Sequence, residues 1–207
     1  MVTIGVAGCH HKTSFNDQQS LWSYLRDEDH GYLQTKEVNG VHYQLLYKPT
    51  DLVVSQLLRG KKASEATIDS LRQKYGQYLY FNLAMSQNGR ELLHQVAGER
   101  KQFGALVNAL AFDMDEKVNL FTNQLDTIPL LDYAYPRLYG MSNQTSVMLV
   151  YPKDQILKSG FIHLSIEDLG FGTGEVTFRQ EVGLLVDQPT LRFSQYENFE
   201  STNTKKN

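Results

Sequence analysis

Tyr78-Leu79-Tyr80-Phe81-Asn82-Leu83-Ala84-Met85 alternates along its length. Side chains along an extended chain point alternately to opposite faces. Leu79, Phe81, Leu83 and Met85 then share a wholly apolar face, while the other face is mixed. That pattern predicts a strand with its first face in a core. Ser86-Gln87-Asn88-Gly89 turns the chain behind it. Upstream, Asn39-Gly40 supplies the residues that tolerate positive φ in a tight hairpin. It separates residues 33–38 from Val41-His42-Tyr43-Gln44-Leu45-Leu46-Tyr47, which alternates like a half-buried strand. The two segments should pair antiparallel.

Helical signals flank these strands. Residues 16–26 read as a short amphipathic helix with Leu21, Trp22 and Leu25 on one face and Asn16 as N-cap. Thr50 caps a helix over 51–58, with Asp51 at its positive end and Gly60 beyond its close. Another helix runs over 64–75 with Ile68 and Leu71 on its apolar face. Residues 102–112 look helical, and 91–96 stay open between strand and short helix. From 117 onward the chain reads as strands at 117–122, 128–135, 144–151, 160–167 and 175–180. Turn chemistry at Asn123, Pro136, Gly140, Pro152 and Gly170 separates them. Val147-Met148-Leu149-Val150 is continuously apolar, the pattern of a central strand. Strands without intervening helices pair antiparallel, so the fold class is α+β, with N-terminal helices and strands packed on a mainly antiparallel sheet.

With 207 residues, 41% of them apolar and 21% charged, the chain can bury a sizeable core. A net charge of -3 and a pI near 6.1 exert no long-range pull on nucleic acid, which is not expected as a partner. No segment approaches the ~20 apolar residues of a membrane-spanning helix. The single cysteine excludes an intramolecular disulfide and zinc sites that need two or more thiolates from one chain. No motif calls for a cofactor or a metal.

That cysteine stands in Val6-Ala7-Gly8-Cys9, which resembles a bacterial lipobox: a branched aliphatic residue three before the cysteine and small residues between. In that family small neighbours let the peptidase reach the backbone, and the thiol carries diacylglycerol on the first mature residue. The resemblance covers residues 6–9. It implies lipidation at Cys9 and a membrane as partner through that lipid. With His rather than Asp at position 10, it implies passage to the outer membrane of the bacterial cell envelope. No Lys or Arg precedes the apolar residues 2–8, which barely reach the ~7–15 residues of a signal's apolar region, so a truncated signal with an upstream start codon is expected. The alternative is a free, buried cysteine near an N-terminal strand. The organisation expected is a truncated signal and tether over 1–15, one α+β domain over 16–195, and a flexible polar tail over 196–207.

Constellations that carry chemistry are sparse. Leu169-Gly170-Phe171-Gly172-Thr173-Gly174 invites a phosphate-loop reading, but a strand-like 175–179 follows where a helix is needed, so the glycines serve a hairpin. Asp113-Met114-Asp115-Glu116 and Glu167-Asp168 read as solvated turns. His42 and His163 are out of phase with their apolar neighbours and read as surface groups. Residues 131–140 concentrate Tyr with Arg and Pro, the composition of binding hot spots. Tyr133, Tyr135, Arg137 and Tyr139 are therefore the candidate binding residues, against a plain reading of tyrosines on the wetter face of a strand. No residue is assigned a catalytic role.

The whole pattern is similar to the small α+β lipoproteins of Bacteroidetes-type bacteria. That resemblance implies a membrane-anchored, non-catalytic envelope protein that binds a protein or glycan partner. Two rivals stand beside it. One is an envelope hydrolase or transferase with a site near Asp113, Glu116 and Asp168. The other is a soluble cytosolic domain, if Cys9 carries no lipid.

Overall fold

The computed structural model describes residues 13–137 and 141–193. Cys9 with its lipobox, Tyr139 and the tail over 196–207 lie outside the described residues. After a short strand, β1 (Ser14–Phe15), the helix α1 (Gln18–Arg26) is capped by Asp17 rather than Asn16, whose place lies one residue too early. The Asp17 carboxylate accepts from Ser20 N at 2.8 Å. Asn39 and Gly40 take positive φ of 50° and 73° and join β2 (Leu33–Val38) to β3 (Val41–Lys48).

The helix α2 (Thr50–Leu58) contains Thr50 as its first residue, with Pro49 in the cap position. Its capping group comes from far along the chain: the Gln188 side chain accepts from Thr50 N at 2.8 Å and donates to Thr50 Oγ1 at 3.1 Å. Ser64 caps α3 (Glu65–Tyr75), which leads into β4 (Tyr78–Gln87). Residues 91–96 hold a helical turn, α4 (Leu92–Gln95), followed by α5 (Arg100–Phe112) and α6 (Met114–Lys117). The solvated turn expected at 113–116 is corrected by α6: Met114 is fully buried, and its burial draws the segment onto the core.

The remaining elements are β5 (Val118–Thr122), β6 (Thr127–Ile128), β7 (Asp132–Ala134), β8 (Thr145–Pro152), β9 (Phe161–Ile166), β10 (Val176–Glu181), α7 (Val182–Val186) and β11 (Thr190–Leu191). One strand was expected over 128–135, but the structure holds two, in different sheets. Pro129 between them has no N–H for a ladder, and the chain changes sheet there. The all-strand reading of the last third also misses α7, where Val182 and Leu185, three residues apart, are buried together.

Strands β2-β3-β4-β8-β7 form a five-stranded antiparallel sheet, and β10-β9-β5-β6 a four-stranded antiparallel sheet. β1 and β11 make a short parallel pair. The fold is α+β. The apolar run at 147–150 sits in β8, inside the sheet, while the middle position belongs to β4. On β4, Phe81, Leu83 and Met85 stand opposite Tyr47, Leu45 and Tyr43 of β3, and Leu79, Phe81 and Leu83 stand opposite Tyr151, Leu149 and Val147 of β8. All of these are buried.

The matching face of the four-stranded sheet, including Leu120, Leu164 and Phe178, belongs to the same buried cluster. Polar ties cross between the sheets at its margin. Tyr43 Oη donates to Thr173 Oγ1 at 3.1 Å, and Gln34 Nε2 donates to Gln180 Oε1 at 2.7 Å. The Lys36 ammonium lies 5.7 Å from the Phe178 ring centre. One core therefore serves both sheets and leaves the opposite face of the five-stranded sheet turned away from it.

Candidate functional site

The tyrosine-rich stretch singled out in the sequence is placed mainly by packing. Tyr133 on β7 is in register with Leu149, which is fully buried, so its ring shares the core-facing side. Tyr133 and Tyr135 both pack, partly buried, against the core. Arg137 is exposed, with its guanidinium 5.8 Å from the Phe112 ring centre.

Of the three carboxylates named for a hydrolytic site, Asp113 and Asp168 are engaged in structural bonds. Asp168 accepts from the N–H groups of Gly170, Phe171, Gly172 and Thr173 at 3.1, 2.9, 3.0 and 3.3 Å, and from the Thr173 hydroxyl at 3.2 Å. Burial acts to raise its pKa, but the donors at Phe171, Thr173 and Gly172 outweigh it and hold the carboxyl below the usual aspartate range. Glu167-Asp168 is thus no plain solvated turn: Asp168 is the anchor of the glycine-rich hairpin between β9 and β10. Gly170, Gly172 and Gly174 supply the positive φ that lets the backbone wrap around it. Asp113 accepts from the Asn108 amide, and Lys117 Nζ meets Glu167 at 3.0 Å. Glu116, on α6, is exposed. No group of three or more His, Cys, Asp or Glu residues able to hold a metal occurs among the described residues. His163 lies on the face of β9 away from the core, between Phe121 and Phe161 at centroid distances of 5.3 and 5.2 Å.

A better-formed site lies on the outer face of the five-stranded sheet. Reading across the strands, Leu33, Leu46, Asn82 and Met148 form one row, and Thr35, Gln44, Ala84 and Ser146 form the next. Ala84 and Ser146 are short, so the second row dips; Tyr80, Lys48 and Val150 form a taller row on the other side. Trp22 and Arg26 sit one helical turn apart on α1 and wall the dip together with Leu33 and Leu46. The Arg26 guanidinium is stacked 4.8 Å from the Trp22 ring centre. Gln144, just before β8, closes the far end of a groove of about 280 Å³.

Among the described residues the groove's side-chain amides are uncommitted. The carboxamides of Gln44 and Asn82 are half-buried, yet neither bonds to another described residue. Half-buried amides ordinarily find partners, and these open into the groove. Arg26 likewise forms no ion pair among the described residues. Of the described residues lining the groove only Arg26 is ionisable, so they hold no acid–base pair to move a proton.

A larger cavity of about 530 Å³ lies between α3 and β11, lined in part by Asp69, Arg72, Leu191 and Arg192. Its central cation is committed. Arg72 Nε and Nη2 each donate to the Asp51 carboxylate at 2.8 Å, and Nη2 donates to Leu191 O at 3.1 Å. Leu191 N returns a bond to Asp51 at 2.7 Å. These groups fasten β11 to α2 and α3, whereas the amides of Gln44 and Asn82 fasten no other described residue.

Compared with protein-family models, with curated proteins and with solved structures, the chain matches none. The groove was missed in the sequence because its members come from α1, β2, β3, β4 and the start of β8. The available signals were Asn82 and Ala84 on the mixed face of β4, and the chain's single tryptophan beside an arginine one turn on.

Proposed function

We propose that this chain is a non-catalytic binding module of the bacterial cell envelope, tethered by lipid on Cys9 and taking a protein or glycan partner. The observation that carries the binding part is the groove beside α1, whose amides at Gln44 and Asn82 bond to no other described residue and whose described lining holds no acid–base pair. Side chains prepared to donate and accept, with nothing arranged to break a bond, suit recognition. The anchoring part rests on Val6-Ala7-Gly8-Cys9. The first described residue, Thr13, already accepts a bond from Thr190 N through its carbonyl, so only a few residues separate the proposed lipid from the folded body.

The test is palmitate labelling and mass spectrometry of the protein expressed from its native locus, beside Cys9→Ala. Lipid on Cys9, with loss of label and release from the membrane fraction in the variant, is the expected result. An unlabelled protein retaining Met1 overturns the envelope reading and returns the chain to the cytosol.

A further inference from the structure

The groove beside α1 has a chemistry narrow enough to name a ligand class. We propose that it binds a sugar ring carrying a carboxylate, a unit of an acidic glycan; this rests on the envelope binding module described above. A carboxamide presents a donor and an acceptor side by side, as does each pair of neighbouring hydroxyls on a sugar. Gln44, Asn82 and Gln144 place such tips along the groove, and none of the three carboxamides is taken up by another described residue. Between them, Leu33, Leu46, Ala84 and the Trp22 indole supply apolar surface for the C–H face of a ring.

The charge decides the rest. Among the described residues Arg26 is the one ionisable group of the groove, it is exposed, and it pairs with no carboxylate. Its planar fork matches a carboxylate two bonds at a time. At about 280 Å³ the groove falls just under the range of drug-sized ligands, room for a ring with its substituents. An extended peptide fits less well. Peptides add to sheets at an edge, where main-chain groups are open, and the floor here is the face of β3 and β4, both paired on two sides, with Leu33 alone coming from the edge strand β2.

Trp22 is the chain's only tryptophan, so its emission reports on this groove alone. The test is a titration of the full chain with a hyaluronan tetrasaccharide, with chitotetraose, which has acetamido groups and no carboxylate, and with tetra-alanine. Calorimetry accompanies the emission, since Arg26→Gln alters the indole's surroundings directly. The expected result is a saturable change in emission with the uronate sugar at least about tenfold tighter than with chitotetraose, about 1.4 kcal/mol. Arg26→Gln should erase that preference, and Asn82→Ala should weaken both sugars about tenfold while each variant keeps its urea midpoint. Flat emission and no heat with the uronate sugar overturn the inference, as do equal affinity for the two sugars, a response to tetra-alanine alone, or unchanged affinity in both variants. Any of these in a protein still labelled on Cys9 removes the acidic sugar and leaves the anchored module standing. Loss of label with uronate binding retained removes the anchor and keeps the groove.

Discussion

Replacing Asp51 by alanine should loosen the whole seam that joins α2, α3 and β11. The Asp51 side chain is 5% exposed and accepts from Arg72 Nε and Nη2 at 2.8 Å each and from Leu191 N at 2.7 Å. Its loss leaves the Leu191 N–H buried without a partner, at a cost of about 1–3 kcal/mol. The ion pair adds less than its geometry suggests, because Arg72 is 38% exposed and regains water, so about 1 kcal/mol is assigned to it. Asp51→Ala should then lose about 2–4 kcal/mol, a large share of the ~5–15 kcal/mol typical of a domain. Urea unfolding of Asp51→Ala, Arg72→Met and the double variant measures it, with a coupling of about 1 kcal/mol expected between the two sites. A loss below about 0.5 kcal/mol in Asp51→Ala, or strictly additive single variants, would refute the reasoning.

Other outcomes follow from single groups. Asp168 titrates below its unfolded value, so the stability it contributes is present above about pH 4 and is lost as pH falls through its lower folded value. The gap in urea midpoint between the native chain and Asp168→Ala should therefore be full at about pH 7 and shrink on acidification, and a gap that stays constant as pH falls counts against the anchor. Tyr32 is pushed up to about 12 by burial, with smaller contributions from Tyr24 and Asp187, and burial drives Tyr47, Tyr80 and Tyr151 higher still. Neutral phenols favour the folded state, so this stability is present below about pH 10 and fades as pH rises towards the folded values. Absorbance titration should show these phenols ionising only with unfolding; ionisation of every tyrosine near pH 10 in a folded chain contradicts it. Gly31 has φ of +74°, and a Cβ there meets Leu184 Cδ1 at 3.0 Å, so Gly31→Ala should cost about 1–2 kcal/mol. An unchanged urea midpoint in that variant would show the turn to be adaptable.

Much of the local structure was legible residue by residue. Asn39-Gly40 announced its hairpin, the spacing of Ile68 and Leu71 their helix, and the alternation over 78–85 its strand, because each signal acts within one turn or one pleat. Misreadings arose where a distant partner, burial or a loop's own backbone claimed the group. Gln188 supplies the cap that Thr50 was expected to provide, Met114 turns an acidic segment into a helix by burying itself, and Asp168 spends its oxygens on its own loop instead of on water. Tyr133 illustrates the same limit for function. Its neighbours in sequence suggested an aromatic surface, whereas its register with Leu149 turns the ring to the core side.

Short-range sequence signals, then, were enough for the α+β class, the hairpins and most helices. These depend on periodicity and turn chemistry, which a short window of residues contains. The tertiary structure alone decided that Gln44, Asn82 and Gln144 share a groove with Trp22 and Arg26. Which strands neighbour one another, and in what register, is set by burial of their other faces in a common core, so residues some 120 positions apart meet without any local sign that they will.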